Sequence, residues 1–124
     1  MNREATILLI DDDQRNIFAL SAILKTRGYQ VLSRTNITEA FTILEGPGKI
    51  SIILMDMMMP DMDGYEAIPL IKADHRFASI PIIAVTAQAM PGDREKSIAA
   101  GADGYISKPV DIDLLTTMIE QHLK

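Results

Sequence analysis

The chain contains no cysteine, which excludes disulfide frameworks, thiolate zinc sites and thiol catalysis, and fits a reducing compartment. Tryptophan is also absent, so intrinsic tryptophan fluorescence cannot report binding. No apolar run approaches the length of a membrane span, and Met1-Asn2-Arg3-Glu4 leads into a stretch too short for a signal peptide. No membrane insertion is expected, and the chain reads as cytoplasmic. Nor is there a basic patch. With 12 Lys and Arg against 17 Asp and Glu, the formal charge is −5, the wrong sign for neutralising phosphates along a nucleic acid.

What is present suffices for a core. The 124 residues, 48% of them hydrophobic and with charges spread along the chain, predict one compact domain over 1–124. Apolar runs of four to six residues alternate with longer helical patterns, the arrangement that predicts a parallel sheet covered by helices on both faces. Strands are predicted at about 6–11, 30–34, 81–86 and 104–107, with another ending at Asp56. Helices are predicted over Gln14–Arg27 with a core stripe at Leu20, Ile23, Leu24 and the stem of Arg27; from Asn36, with Glu39 as capping partner, to Gly46-Pro47-Gly48; after Gly64; from Pro91 to near Gly101; and from Asp111 to Leu123. Gly28 is placed to end the first of these. Pro69 predicts a kink or an irregular first turn in the third, at a cost of about 3 kcal/mol in a regular interior.

The chemistry collects where the strands end. Ile7-Leu8-Leu9-Ile10 runs into Asp11-Asp12, Ile52-Ile53-Leu54-Met55 into Asp56, Ile82-Ile83-Ala84-Val85 into Thr86, and Tyr105-Ile106-Ser107 into Lys108-Pro109. Open α/β sheets bind ligands at that edge. Carboxylates at adjacent strand ends repel one another unless a cation intervenes, and an all-oxygen donor set favours a hard divalent ion such as Mg²⁺.

Four motifs in order, Asp11-Asp12, Asp56 within Met55-Asp56-Met57-Met58-Met59-Pro60-Asp61-Met62-Asp63-Gly64, Thr86-Ala87 and Lys108-Pro109, with their spacing over essentially the whole chain, make it resemble a response-regulator receiver domain, the CheY-like phosphoacceptor module of two-component signalling. Asp13 to Leu20 and Thr86 to Lys96 look most like receivers of hybrid sensor histidine kinases, so both a free regulator and a segment of such a kinase stay open. The resemblance implies a flavodoxin-like (βα)5 three-layer sandwich whose five-stranded parallel sheet has the order 2-1-3-4-5. It implies a domain that catalyses its own phosphorylation but acts on no separate substrate. Asp56 would be the phosphoacceptor. Asp12, Asp56 and the backbone carbonyl of Met58 would hold Mg²⁺, and Asp11 would act through water. Lys108, preceding a cis bond to Pro109, would neutralise the phosphoryl oxygens, while Thr86 and Tyr105 would form the switch. The apolar side chain of Met58 should orient water poorly and make autodephosphorylation slow. A histidine kinase or histidine phosphotransfer domain would be the donor, and the face from helix four to helix five would meet a downstream protein.

Blander readings accompany several of these residues. Asp12 or Asp13 suits a helix N-cap, Thr86 a strand end, Tyr105 ordinary packing, and Lys108 a solvated surface. Ile17 and Phe18 widen the apolar face of the first helix, which suits either partner docking or extra core. Asp61-Met62-Asp63-Gly64 resembles phosphatase and calcium-loop strings, but the flanking residues of neither are present, and capping by Asp63-Gly64 is expected. His75 and His122 lack metal-ligand spacing and read as surface residues. The rival functions are an interaction module that never takes phosphate and a small phosphatase on the same sheet.

Overall fold

The computed structural model describes residues 5–60, 62–87 and 91–123. Five βα units run through it: β1 Thr6–Ile10, α1 Gln14–Thr26, β2 Gln30–Arg34, α2 Ile37–Glu45, β3 Ile52–Asp56, α3 Gly64–Ala73, β4 Ile82–Thr86, α4 Asp93–Ala100, β5 Gly104–Ser107 and α5 Ile112–His122. The strands form one parallel sheet in the order β2-β1-β3-β4-β5. Helices between successive parallel strands must cross over the faces, so the central strands are covered on both sides. Every residue of β3 and β4 is buried.

Strand alternation divides the interior into two cores. Leu8, Ile10, Ile53, Met55 and Ala84 pack with Ile37, Ala40 and Leu44 of α2 and Ala67, Ile68 and Ile71 of α3. Their neighbours Ile7, Leu9, Ile52, Leu54, Ile83 and Val85 face the other way, onto Leu24 of α1 and Leu115 and Ile119 of α5. Side-chain caps start four of the five helices: Asp13 accepts from the Arg15 N–H, Asn36 from Glu39, Asp63 from Glu66 and Asp111 from Leu114. Asn36 also donates from Nδ2 to Glu39 Oε2 at 2.7 Å.

Pro69 lies inside α3 on its exposed side, where water can serve the Tyr65 carbonyl that a proline N cannot. Two expectations are corrected. Pro91 precedes the N-cap Gly92 and stands outside α4. In α1 only Leu24 is fully buried, whereas Ile23 is 37% exposed and Leu20 partly covered, because the stripe faces a cleft toward α5 rather than a packed neighbour. Strand ends shift by one residue: Asp11 falls just after β1 and Pro81 just before β4. Gly28 follows the C-cap Arg27 with φ 98°, a left-handed turn that glycine adopts without strain.

Gly64 is required for a different reason. A Cβ there would lie 2.2 Å from Met57 Sδ and 3.0 Å from Met57 Cα, and its N–H already bonds the Met57 carbonyl at 3.2 Å. The start of α3 thus rests directly on the loop leaving β3. Gly64→Ala is expected to lower stability by about 1–3 kcal/mol through overpacking, read as a lower urea midpoint at unchanged m-value; an unaltered midpoint would show that the Met57 side chain yields freely.

Candidate functional site

The sheet register assembles the site. Ile10 pairs with Met55, so the next residues, Asp11 and Asp56, emerge side by side. Asp56 pairs with Val85 and Thr86 with Ser107, which brings Thr86 and Lys108 to the same edge. Backbone bonds tighten it: Asp11 N–H to the Arg34 carbonyl at 3.2 Å, Met57 N–H to Val85 at 3.0 Å and Lys108 N–H to Thr86 at 2.7 Å. The Lys108-Pro109 peptide bond is cis.

Asp11 and Asp56 are each 4% exposed, and Asp12 stands in solvent. Oxygens from all three carboxylates lie within 4.8 Å of one another. Lys108 Nζ is 3.3 Å from Asp11 Oδ2 and 3.9 Å from Asp56 Oδ1. Asp11 Oδ1 also accepts the Asp13 N–H at 2.8 Å, and Asp56 Oδ1 accepts the Met58 N–H at 3.1 Å. Burial pushes the Asp56 carboxyl up to about 6; the Met58 N–H pulls it down, the neighbouring Asp11 charge pushes it up, and Lys108 offsets part of that. Among the described residues one ammonium therefore faces three acids, and their all-oxygen set fits a hard divalent cation that keeps some of its waters.

The remaining expected residues divide between the two faces of the sheet. Asp11 and Asp56 continue the alternation of Leu9 and Leu54, which face α1 and α5, whereas Thr86 continues that of Ala84, on the α3 side. Tyr105 pairs with Ala84 and packs partly buried against that same core. Thr86 is 1% exposed, so its hydroxyl lies beneath the surface of the site. Asp13 is the N-cap of α1 and its carboxyl is held below the usual range by the Arg15 N–H. Phe18 is 79% exposed, which rules out extra core for its ring; Ile17 is partly buried against the α1–α5 core. His75 is exposed, whereas His122 is half-buried rather than fully on the surface. Asp61 and Gln88–Met90 lie outside the described residues.

A cavity of about 240 Å³ beside the carboxylates went unforeseen. Asn16, Ala19 and Leu20 of α1 and Val110 and Ile112 beyond Lys108 line it together with Asp11 and Asp56. The only local signal is Asn16 on the turn after the acidic pair, because the rest of the lining joins segments far apart in sequence.

The profile of the response regulator receiver domain matches residues 7–120. The response regulator Rre1 of Synechocystis is 33% identical over 124 residues, 99% of this chain but 53% of that protein. The polar-differentiation response regulator DivK of Brucella anthropi is 30% identical over 118 residues, 95% of each chain. Among solved structures, the receiver domain of sensor histidine kinase PA1611 from Pseudomonas aeruginosa, with a magnesium ion coordinated in its active-site cleft, is 33% identical. That structure superposes with a TM-score of 0.86 over 97% of this chain and 98% of its own. Strand order, strand-end carboxylates and sequence kinship converge: the chain belongs to the receiver domain family of two-component signalling.

Proposed function

We propose that the domain accepts a phosphoryl group from a phosphohistidine onto Asp56 and alters its affinity for a partner as a result. The observation that carries this reading is the strand-end cluster, in which the buried Asp56 is flanked by Asp11, Asp12 and Lys108. An Asp56 oxygen attacks phosphorus, the P–N bond to the donor imidazole breaks, and its electron pair stays on the imidazole nitrogen. An ionised carboxylate needs no base. Lys108 faces the oxygens that gather charge, and the Met58 N–H fixes one Asp56 oxygen. Asp12, Asp56 and the Met58 carbonyl would hold Mg²⁺, with Asp11 acting through water while it anchors Lys108; the ion would supply positive charge against the phosphoryl oxygens. The Thr86 hydroxyl would turn toward the new phosphate and Tyr105 would follow into the space it leaves.

A histidine kinase or histidine phosphotransfer domain is the donor in this reading, and Phe18 with Ile17 on α1 is its docking point. The α4 to α5 side would serve the downstream partner. A cytoplasmic setting suits such partners, and no helix among the described residues is long and apolar enough to cross a membrane.

Incubation with acetyl phosphate and Mg²⁺ should add a single phosphoryl mass to the intact protein, and the adduct should be missing without the ion or in Asp56→Asn. Absence of any adduct favours an interaction module, and turnover of unrelated phosphoesters a phosphatase. Electrostatics gives a second expectation. Between its ordinary 3.8 and about 6 the folded protein holds a proton on Asp56 that the unfolded chain has released, so this group's contribution to stability falls as pH rises through that window. At pH 7 in chelator, Asp56→Asn should be more stable than the parent by up to about 3 kcal/mol, with the gain shrinking in acid; equal denaturation midpoints would remove the repulsion account. Phe18→Ala should leave stability within about 0.5 kcal/mol yet weaken the donor complex by more than about 1 kcal/mol. Unchanged phosphotransfer from a histidine phosphotransfer domain would dismiss the docking role.

A further inference from the structure

The end of β3 and the loop after it carry a run of thioethers with opposite exposures. Met55 and Met57 are fully buried and Met59 nearly so, while Met58 is 46% exposed. Met58 is also tied to the nucleophile, because its N–H bonds Asp56 Oδ1 at 3.1 Å. An oxidant can thus reach its sulfur without opening the core, whereas oxidation at Met55 or Met57 would place a polar group among packed aliphatic side chains.

We propose that Met58 is a modification site, oxidised by peroxides to the sulfoxide, and that the sulfoxide shortens the lifetime of the aspartyl phosphate. The inference rests on the phosphoacceptor reading of Asp56. In the modification the peroxide O–O bond breaks, one oxygen joins sulfur, sulfur loses two electrons and water leaves. A thioether is a weak hydrogen-bond acceptor and a sulfoxide oxygen a strong one. During hydrolysis a water oxygen attacks phosphorus, the bond between phosphorus and the Asp56 oxygen breaks, and inorganic phosphate departs from the regenerated carboxylate. A sulfoxide beside Asp56 accepts a hydrogen bond from that water and orients it, a task for which the unmodified side chain offers little. One such net hydrogen bond corresponds to an acceleration of about five-fold.

The test oxidises the chain with hydrogen peroxide, maps the methionines by peptide mass spectrometry, phosphorylates with acetyl phosphate and Mg²⁺, removes the donor and follows phosphoryl loss by intact mass. Met58 should oxidise ahead of Met55, Met57 and Met59, the adduct should decay about five-fold faster, and methionine sulfoxide reductase should restore the original decay. Each variant is compared with itself before and after peroxide. In Met58→Leu the two decay rates should coincide, and Met58→Gln should decay faster than Met58→Leu without oxidant. Oxidation of Met55, Met57 or Met59 ahead of Met58, unchanged or slower decay after oxidation, or the same acceleration in Met58→Leu would overturn the proposal. Failure of the unoxidised protein to take any phosphoryl group would instead overturn the phosphoacceptor reading beneath it.

Discussion

Mutual repulsion among Asp11, Asp12 and Asp56 is the constraint around which the rest of the molecule is arranged. Two of these acids are buried at the ends of strands that cannot separate, because β1 and β3 are hydrogen-bonded neighbours in the middle of the sheet. Lys108 reaches Asp11 and, at longer range, Asp56, so its single charge is shared. Burial first, and then the neighbouring Asp11 charge, displaces the Asp56 carboxyl upward. A site built this way is stabilised by added positive charge, which is the physical basis for linking cation binding to phosphoryl acceptance.

The same sheet separates the carboxylates from Thr86 and Tyr105. Asp11 and Asp56 continue the strand face toward α1 and α5, and Thr86 with Tyr105 continues the face toward α3. In the proposed phosphorylated form, a hydrogen bond from Thr86 to a phosphate oxygen would be charge-assisted and contribute about 1.5–3 kcal/mol, whereas carrying a two-state population from 1:99 to 99:1 requires about 5.5 kcal/mol. Thr86 by itself would not complete such a switch. Lys108 donates its backbone N–H to the Thr86 carbonyl while its side chain reaches Asp11. The loop after β3 forms another junction: Met57 is pinned beneath Gly64 while Met58 is half-exposed beside Asp56.

Much of this was legible in the residue pattern because the underlying physics is local. Short apolar runs became strands since both faces of a parallel sheet are buried, and Asp13, Asn36, Asp63 and Asp111 became caps since each satisfies an N–H one turn away. Misreadings arose where a neighbour decided the outcome. Ile23 lacks a full cover because α1 and α5 leave a cleft between them. Pro91 has a φ suited to a first helical turn, yet Gly92 in a left-handed conformation is the N-cap, which puts the proline outside.

By itself the sequence determined the identity and order of the strands, the caps, and which residues stand at strand ends, because periodicity and capping act over a few positions. Tertiary structure decided which of those ends are neighbours, how deeply each acid is buried, and that the carboxylate cluster and Thr86 continue opposite faces of the sheet. Those properties arise from register between segments as distant as Asp11 and Lys108, and no local pattern encodes the register of a parallel pair joined by a crossover helix.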